Sequence, residues 1–289
     1  FITLLIEAGL PEVWCQCIIP QDRTIAERLV TDSRISFFSF IGSANVGWKL
    51  RSKLAPGTRC SLEHGGVAPV ILNDASKLQS AVESITKGGF YHAGQVCVSV
   101  QRVFVHEDIA SRFLTLFKET ANALKVGDPT LIETEVGPLI RAAEVSRVDS
   151  WVKEAVEMGA DCICGGTPIG EQCYAPTILF NPPAEASVSK HEIFGPVVCV
   201  YPYSDIDKAI TQANNLPFAF QAAVFTESLK TAMHCYKHLN ASAVMINDHS
   251  AFRVDNMPFA GLKQSGLGVG GIKHTIDDMQ IEKMLVLSM

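Results

Sequence analysis

The 289-residue chain lacks most of the features that would assign it a class at a glance. No apolar stretch approaches the roughly 20 residues of a membrane-spanning helix, and no signal peptide is readable, so neither a membrane partner nor export is expected. Lys and Arg occur singly rather than in runs, and acids exceed bases by 30 to 24, for a net charge of −6. That balance argues against nucleic acid as a partner. No internal repeat or low-complexity tract is present, which sets aside solenoids and linkers. No cysteine pair forms a C-x-x-C. The nine cysteines are Cys15, Cys17, Cys60, Cys97, Cys162, Cys164, Cys173, Cys199 and Cys235, an odd number. Cys15/Cys17 and Cys162/Cys164 are C-x-C pairs in largely apolar runs, read as buried thiols rather than metal ligands, and a reducing cytoplasm is expected.

What the chain does have is apolar substance punctuated by glycine. At 47% hydrophobic, a chain of this length buries roughly 75% of its unfolded surface, in one large α/β domain or two unequal ones. The opening Phe1-Ile2-Thr3-Leu4-Leu5-Ile6 starts inside an apolar pattern. It predicts the end of an amphipathic helix stopped by Gly9 and Pro11, with a stretch expected upstream. Strands are expected over Val13 to Ile19, Ile35 to Ile41 (buried) and Arg59 to Glu63, with helices over Thr24 to Val30 and Asn45 to Leu54. After Gly65-Gly66 a second α/β unit is predicted. Its strands are Val67 to Leu72, Arg102 to His106, Val197 to Tyr203, Ala222 to Phe225 and Ala243 to Asn247. Its helices are Ser76 to Lys87 (capped by Asp74 or Ser76), Ala110 to Leu124, Ala142 to Met158, Asp205 to Asn214 and Ser228 to Leu239. The alternation implies an α/β fold with a parallel sheet. Met284 to Leu287 reads as an apolar strand that needs a sheet to pair with, and subunit pairing into a homo-oligomer, dimer or tetramer, follows as an expectation.

Four short pieces can carry chemistry. Cys97 ends Gly94-Gln95-Val96-Cys97. A lone cysteine is often structural, but Gly94 allows close backbone approach, and a helix opening at the thiol would lower its pKa. Glu63 follows a strand and precedes two glycines. It is either a solvated strand end or a general base whose pKa is raised by its apolar neighbours. His64 competes for that role, although adjacent strand residues face opposite ways. Gly42-Ser43-Ala44-Asn45-Val46-Gly47 joins a strand to a helix, and is either a capped helix start or a turn offering N–H groups to a phosphate. Glu192-Ile193-Phe194-Gly195-Pro196 is a rigid turn. It is either a surface turn with one buried Phe, or a piece whose acid could accept hydrogen bonds from a ribose and whose aromatic ring could pack on a flat ring. A soft nucleophile and a carboxylate together suggest covalent chemistry on a carbonyl.

In this order, Phe40-Ile41-Gly42-Ser43…Gly47, Leu62-Glu63-His64-Gly65-Gly66, Gly94-Gln95-Val96-Cys97 and Glu192-Ile193-Phe194-Gly195-Pro196 resemble the aldehyde dehydrogenase superfamily. Gly137-Pro138-Leu139, Ala175-Pro176-Thr177, Asn247 and Pro258 to Gly266 add to the likeness, which runs the length of the chain. The resemblance implies a partial Rossmann-type cofactor domain plus an α/β catalytic domain. These would comprise a cofactor-domain remnant at 1–64, a thiol domain at 65–260, and a return segment with an oligomerisation tail at 261–289. It implies that Cys97 adds to a small-molecule aldehyde, with its backbone N–H helping to hold the oxyanion, and that Glu63 activates the water that hydrolyses the thioester. It implies NAD or NADP as hydride acceptor, with Gly42, Ser43 and Gly47 in the cofactor turn and Glu192 and Phe194 on the nicotinamide ribose and ring. His64, Val67 and Ala260 depart from the usual pattern without removing a catalytic group. The oxyanion-hole asparagine, the lysine on the adenosine ribose and the first strands of the cofactor sheet would belong upstream of Phe1.

Three readings follow. The first is an NAD(P)-dependent aldehyde dehydrogenase that makes a carboxylic acid. The second is a truncated, non-catalytic relative that keeps the fold for assembly. The third, transfer of the acyl group to CoA, is disfavoured by the presence of Glu63. Arg253 precedes Pro258-Phe259 and could pair with the anion of a short, charged aldehyde. The alternative is an arginine paired with Asp255 or Asp248.

Overall fold

The computed structural model describes residues 1–289. The most apolar segments build a seven-stranded sheet. Val70-Ile71-Leu72, Val103-Phe104-Val105 and Val197 to Val200 are almost fully buried, as strands of a covered parallel sheet must be. The spatial order is Ala243–Ile246, Gln221–Phe225, Pro69–Leu72, Arg102–His106, Val197–Tyr203, Thr177–Phe180 and Asp161–Cys164. All neighbours pair in parallel except the last strand, which runs antiparallel. Helices Leu78–Phe90 and Glu107–Ala123 connect and cover the central strands. They meet through Phe117, whose ring centroid stands 5.9 Å from that of Phe90 and 5.2 Å from that of Phe113. A mixed α/β fold with a mostly parallel sheet is therefore present, as expected.

A second, three-stranded sheet is built by Phe37–Ile41, Arg59–Glu63 and Gly266–Leu267. The first pair is parallel, and the third strand returns antiparallel, placing Gly266 opposite Glu63. The chain leaves this sheet at Glu63 and enters the large one at Pro69. Residues 64–68 thus bridge the two sheets, and Glu63 lies at the edge of the crossing.

Several expectations are corrected. Val13 to Ile19 is not a strand. A short 3-10 turn at Glu12–Trp14 is followed by irregular backbone that has no sheet beside it. The strand at Phe37–Ile41 is not buried as a whole: only Phe38 is buried, and Ser39 and Ile41 are exposed. No side chain caps Leu78–Phe90; the Asp74 carboxylate is engaged by Ser76 and Thr226 instead. Met284 to Leu287 forms no strand and lies exposed. The C-x-C thiols are not core residues: Cys17 and Cys162 are exposed, and the buried thiols are Cys199 and Cys235. Cys162 and Cys164 occupy an outermost strand, which is covered on one edge only.

Arg102 shows how the core accommodates a charge. Its side chain is 3% exposed and has no carboxylate partner. It donates instead to Gln212 O at 2.9 Å and Ala213 O at 3.4 Å, in the last turn of helix Ile206–Asn214. Those carbonyls form the negative end of the helix dipole. The guanidinium also lies 5.2 Å from the Phe104 ring centroid and 5.8 Å from that of Tyr201. Arg102→Met is expected to lower unfolding free energy by about 2 kcal/mol in urea titration, by stranding buried carbonyls. A change within a few tenths would show that the cap contributes nothing.

Candidate active site

The thiol is delivered by a strained turn. After helix Leu78–Phe90, His92 (φ 49), Ala93 (φ 55) and Gly94 (φ 70) run consecutively through the left-handed region. For a non-glycine residue this costs of order 1 kcal/mol or more, so the surroundings must hold it in place. They do so at several points. A side chain on Gly94 would overlap the carbonyl of Gly195, so the turn is packed directly against the Glu192 loop. Gln95 accepts from Ile140 N at 2.9 Å and donates to Pro138 O at 3.2 Å, which accounts for the Gly137-Pro138-Leu139 piece. Ser99 Oγ donates to Gly88 O at 3.0 Å, using a carbonyl left free at the helix end. Ser250 Oγ donates to Val98 O at 2.8 Å.

Cys97 is partly buried against Val98, Phe220 and Phe259. It lies in a turn and does not open a helix, so the expected lowering of its pKa by a helix N-terminus is overturned. Burial first, then repulsion by Glu192 and Glu63, pushes the thiol up to about 11, while its own N–H and Arg253 act the other way. The thiol therefore stands within electrostatic reach of two carboxylates and one guanidinium.

Glu63 is partly buried beside Gly270, and desolvation raises its pKa, with Arg253 partly opposing the shift. His64 points elsewhere. It is 1% exposed, its Nδ1 lies 2.8 Å from Gly42 O, and its ring packs on the Cα of Gly47. Its burial lowers its pKa. Of the two adjacent candidates, only Glu63 acts on the thiol.

Glu192 comes from the other side of the site. Its carboxylate rests on Gly65, where any side chain would overlap it. Burial pushes its carboxyl up to about 7, against the Gly66 N–H and Arg147. Its Oε1 is sealed from solvent with no hydrogen-bond partner. Phe194, at φ 48, is 40% exposed and borders the same crevice as Gly66, Gly94, Val96 and Glu192. The Gly42 turn is joined to Glu63 by Gly42 N–H donating to Glu63 O at 3.1 Å. Ser43 precedes helix Ala44–Arg51, and no side chain caps its first turn. Arg253 is exposed and pairs with neither Asp255 nor Asp248; its guanidinium lies 4.1 Å from the Phe259 ring centroid. Sequence reasoning missed Arg147, Gln101 and Ser250, polar residues in helical or apolar surroundings with no local pattern to mark them.

A partly buried thiol thus lies beside carboxylates where the chain crosses between its two sheets. Residues 1–285 match the aldehyde dehydrogenase family, and the chain belongs to that family. It is 40% identical over 286 residues to the 3-sulfolactaldehyde dehydrogenase of Priestia aryabhattai, covering 99% of this chain and 60% of that protein. It is 35% identical over 264 residues to the lactaldehyde dehydrogenase of Methanococcus aeolicus, covering 91% of this chain and 56% of that protein. Its fold superimposes with a TM-score of 0.91 on the glyceraldehyde-3-phosphate dehydrogenase of Methanocaldococcus jannaschii complexed with NADP, at 33% identity, covering 96% of this chain and 60% of that one. The chain spans about three-fifths of the length of the curated relatives it matches.

The charge arrangement makes a direct prediction. Glu192→Gln removes the larger repulsion on Cys97, so the thiol pKa falls and more thiolate is present at pH 8. Alkylation of Cys97 by iodoacetamide, followed peptide by peptide, should become several-fold faster. An unchanged or slower rate would show that Glu192 does not act on the thiol.

Proposed function

We propose that this chain carries the thiol-bearing part of an NAD(P)-dependent aldehyde dehydrogenase that oxidises a short aldehyde to a carboxylic acid. The observation that carries this reading is the convergence of Glu63, Glu192 and Arg253 on the half-buried thiol of Cys97. The residues present suit the cofactor. Glu192 has a buried oxygen without a partner, suited to a ribose hydroxyl. Helix Ala44–Arg51 has an uncapped first turn beside Gly42, Ser43 and Gly47, suited to a diphosphate. The exposed Phe194 ring would lie against the nicotinamide. When bound, NAD or NADP accepts a hydride.

The chain's own groups divide the oxidation into two parts. Cys97 gives its proton to solvent water and its sulfur bonds to the carbonyl carbon, and the Cys97 N–H would donate to the resulting oxyanion. Loss of hydride from that carbon leaves a thioester on Cys97. Glu63, whose raised pKa suits a base near neutrality, then takes a proton from water as the water attacks. The carbon–sulfur bond breaks, the acid departs and the thiol is restored. The division into a cofactor part at 1–64, a thiol part at 65–260 and a return segment at 261–289 belongs to the same reading. So does a reducing cytoplasmic setting for nine free thiols, and so does assembly into a homo-oligomer through the exposed apolar tail.

Cys97→Ala should abolish NAD(P)-linked aldehyde oxidation, and retained turnover would overturn the reading. Glu63→Gln should keep the first release of reduced cofactor but slow steady-state turnover by about 10²-fold or more. Loss of both phases together would remove Glu63 from the hydrolytic step.

Arg253 supports a substrate with an anionic tail. It carries no carboxylate partner and stands over Phe259. The names of two relatives point the same way, toward a sulfonate and a phosphate. A third, the lactaldehyde enzyme, points to an uncharged tail. Arg253→Ala should raise KM for a sulfonated or phosphorylated aldehyde by about tenfold or more while leaving lactaldehyde within about twofold. Equal effects on both would assign Arg253 to the site's general electrostatics instead.

A further inference from the structure

The loop that carries Glu192 and Phe194 has one fixed residue between them. Ile193 is 1% exposed. Its N–H donates to Gln101 Oε1 at 2.9 Å, and its carbonyl accepts from Arg147 Nη2 at 2.7 Å. Both ends of one residue are thus held by side chains, while its two neighbours project toward the crevice. Gln101 does more. Its Nε2 donates to His191 O at 2.7 Å and to Val188 O at 3.2 Å. The amide is 5% exposed, so each of these bonds replaces one that water would otherwise make. The main chain of Gln101 is fixed as well, its carbonyl accepting from Cys199 N at 2.8 Å. Gln101 lies only four residues beyond Cys97, immediately before strand Arg102–His106.

We propose that Gln101 is a positioning residue for cofactor binding: its buried amide sets the reach of Glu192 and Phe194, so that the thiol turn and the cofactor-facing loop are aligned from one strand. This rests on the functional reading given above. A glutamine that merely fills the core would contribute to stability alone. A positioning glutamine sets cofactor affinity through Glu192 and Phe194 while leaving the core intact, so that a thiol buried elsewhere in the core, Cys235, stays unreactive.

The test uses the full chain and titrates NAD and NADP by calorimetry, with the alkylation rate of Cys97 measured on the same samples. Gln101→Met keeps the length of the side chain and removes all three bonds. It should weaken cofactor binding by about tenfold or more and change the Cys97 rate no further than Glu192→Gln does, while the core thiol Cys235, followed on the same samples, stays as unreactive as in wild type. Gln101→Glu keeps an acceptor for Ile193 N–H but turns a buried carboxylate toward the carbonyls of His191 and Val188, so it should weaken binding at least as much as Gln101→Met. Should the methionine variant not fold, Gln101→Asn, which keeps the amide but shortens its reach, must weaken binding with Cys235 still unreactive. Cofactor affinity equal to wild type in a folded variant overturns this inference and leaves the functional reading standing. Weakened affinity together with a newly reactive Cys235 also overturns it, by showing general loosening. A wild-type chain that binds neither cofactor overturns the functional reading, and this inference with it.

Discussion

The close approach of Gly65 to the Glu192 carboxylate is the contact on which the rest of the site depends. Because Gly65 has no side chain, an acid from a loop far away in sequence can lie on the backbone that leads directly from Glu63 into the large sheet. That contact brings two carboxylates to one thiol from opposite directions. It also explains why the two glycines stand together. Gly66 faces the carbonyl of Cys97, where an added methyl would sit at 3.2 Å, tighter than ordinary van der Waals contact. The crossing between sheets, the thiol turn and the acidic loop thus share one narrow place where backbone meets backbone.

Negative charge at such a place opposes the ionisation of a nucleophile. Burial and two carboxylates raise the Cys97 pKa, and only its own N–H and Arg253 resist. The carboxylates are affected too, since desolvation raises both Glu63 and Glu192. With its carboxyl pushed up to about 7, part of the Glu192 population is uncharged near neutrality and repels the thiol less. Thiol, base and acid are therefore coupled, and a change at one alters proton occupancy at the others. Arg253 is the single cation acting on both Cys97 and Glu63. A substrate anion drawn to Arg253 would offset that influence at the moment of binding.

Much of this was legible in the sequence because it rests on local rules. The strands at Arg102–His106 and Val197–Tyr203 were readable to the residue, since a covered parallel strand is a short, continuous apolar run between breaks. Asp205 and Ser228 were readable as helix starts because their side chains accept from the first-turn N–H groups. What failed had no local cause. Val13 to Ile19 has strand composition, but no neighbour pairs with it. Thr177–Phe180 was missed because a four-residue strand gives too short a pattern, although it pairs along its length with Val197–Val200. The surroundings of Cys97 could not be inferred, because the turn's conformation is imposed by Gly195, Ser250 and Pro138, which are distant in the chain. Glu63 and His64 were separable by the alternation of a strand, and they do face apart.

The site is expensive locally, and the core explains how the fold sustains it. Three left-handed non-glycine residues (His92, Ala93 and Phe194), an unpartnered buried carboxylate oxygen and a desolvated thiol all oppose folding. They lie together at one rim of a sheet whose central strands are buried almost completely. Against an apolar core of 46 residues these penalties are a small fraction of the total burial, yet they are comparable with the net stability of a domain. The strained turn is accordingly tied at more points than an ordinary loop, to the helix end through Ser99, to the 138–140 loop through Gln95 and to Ser250. Loops without function gain nothing from such ties. Here they convert core stability into fixed geometry at Cys97, so that a carbonyl arriving in the crevice meets groups already in place.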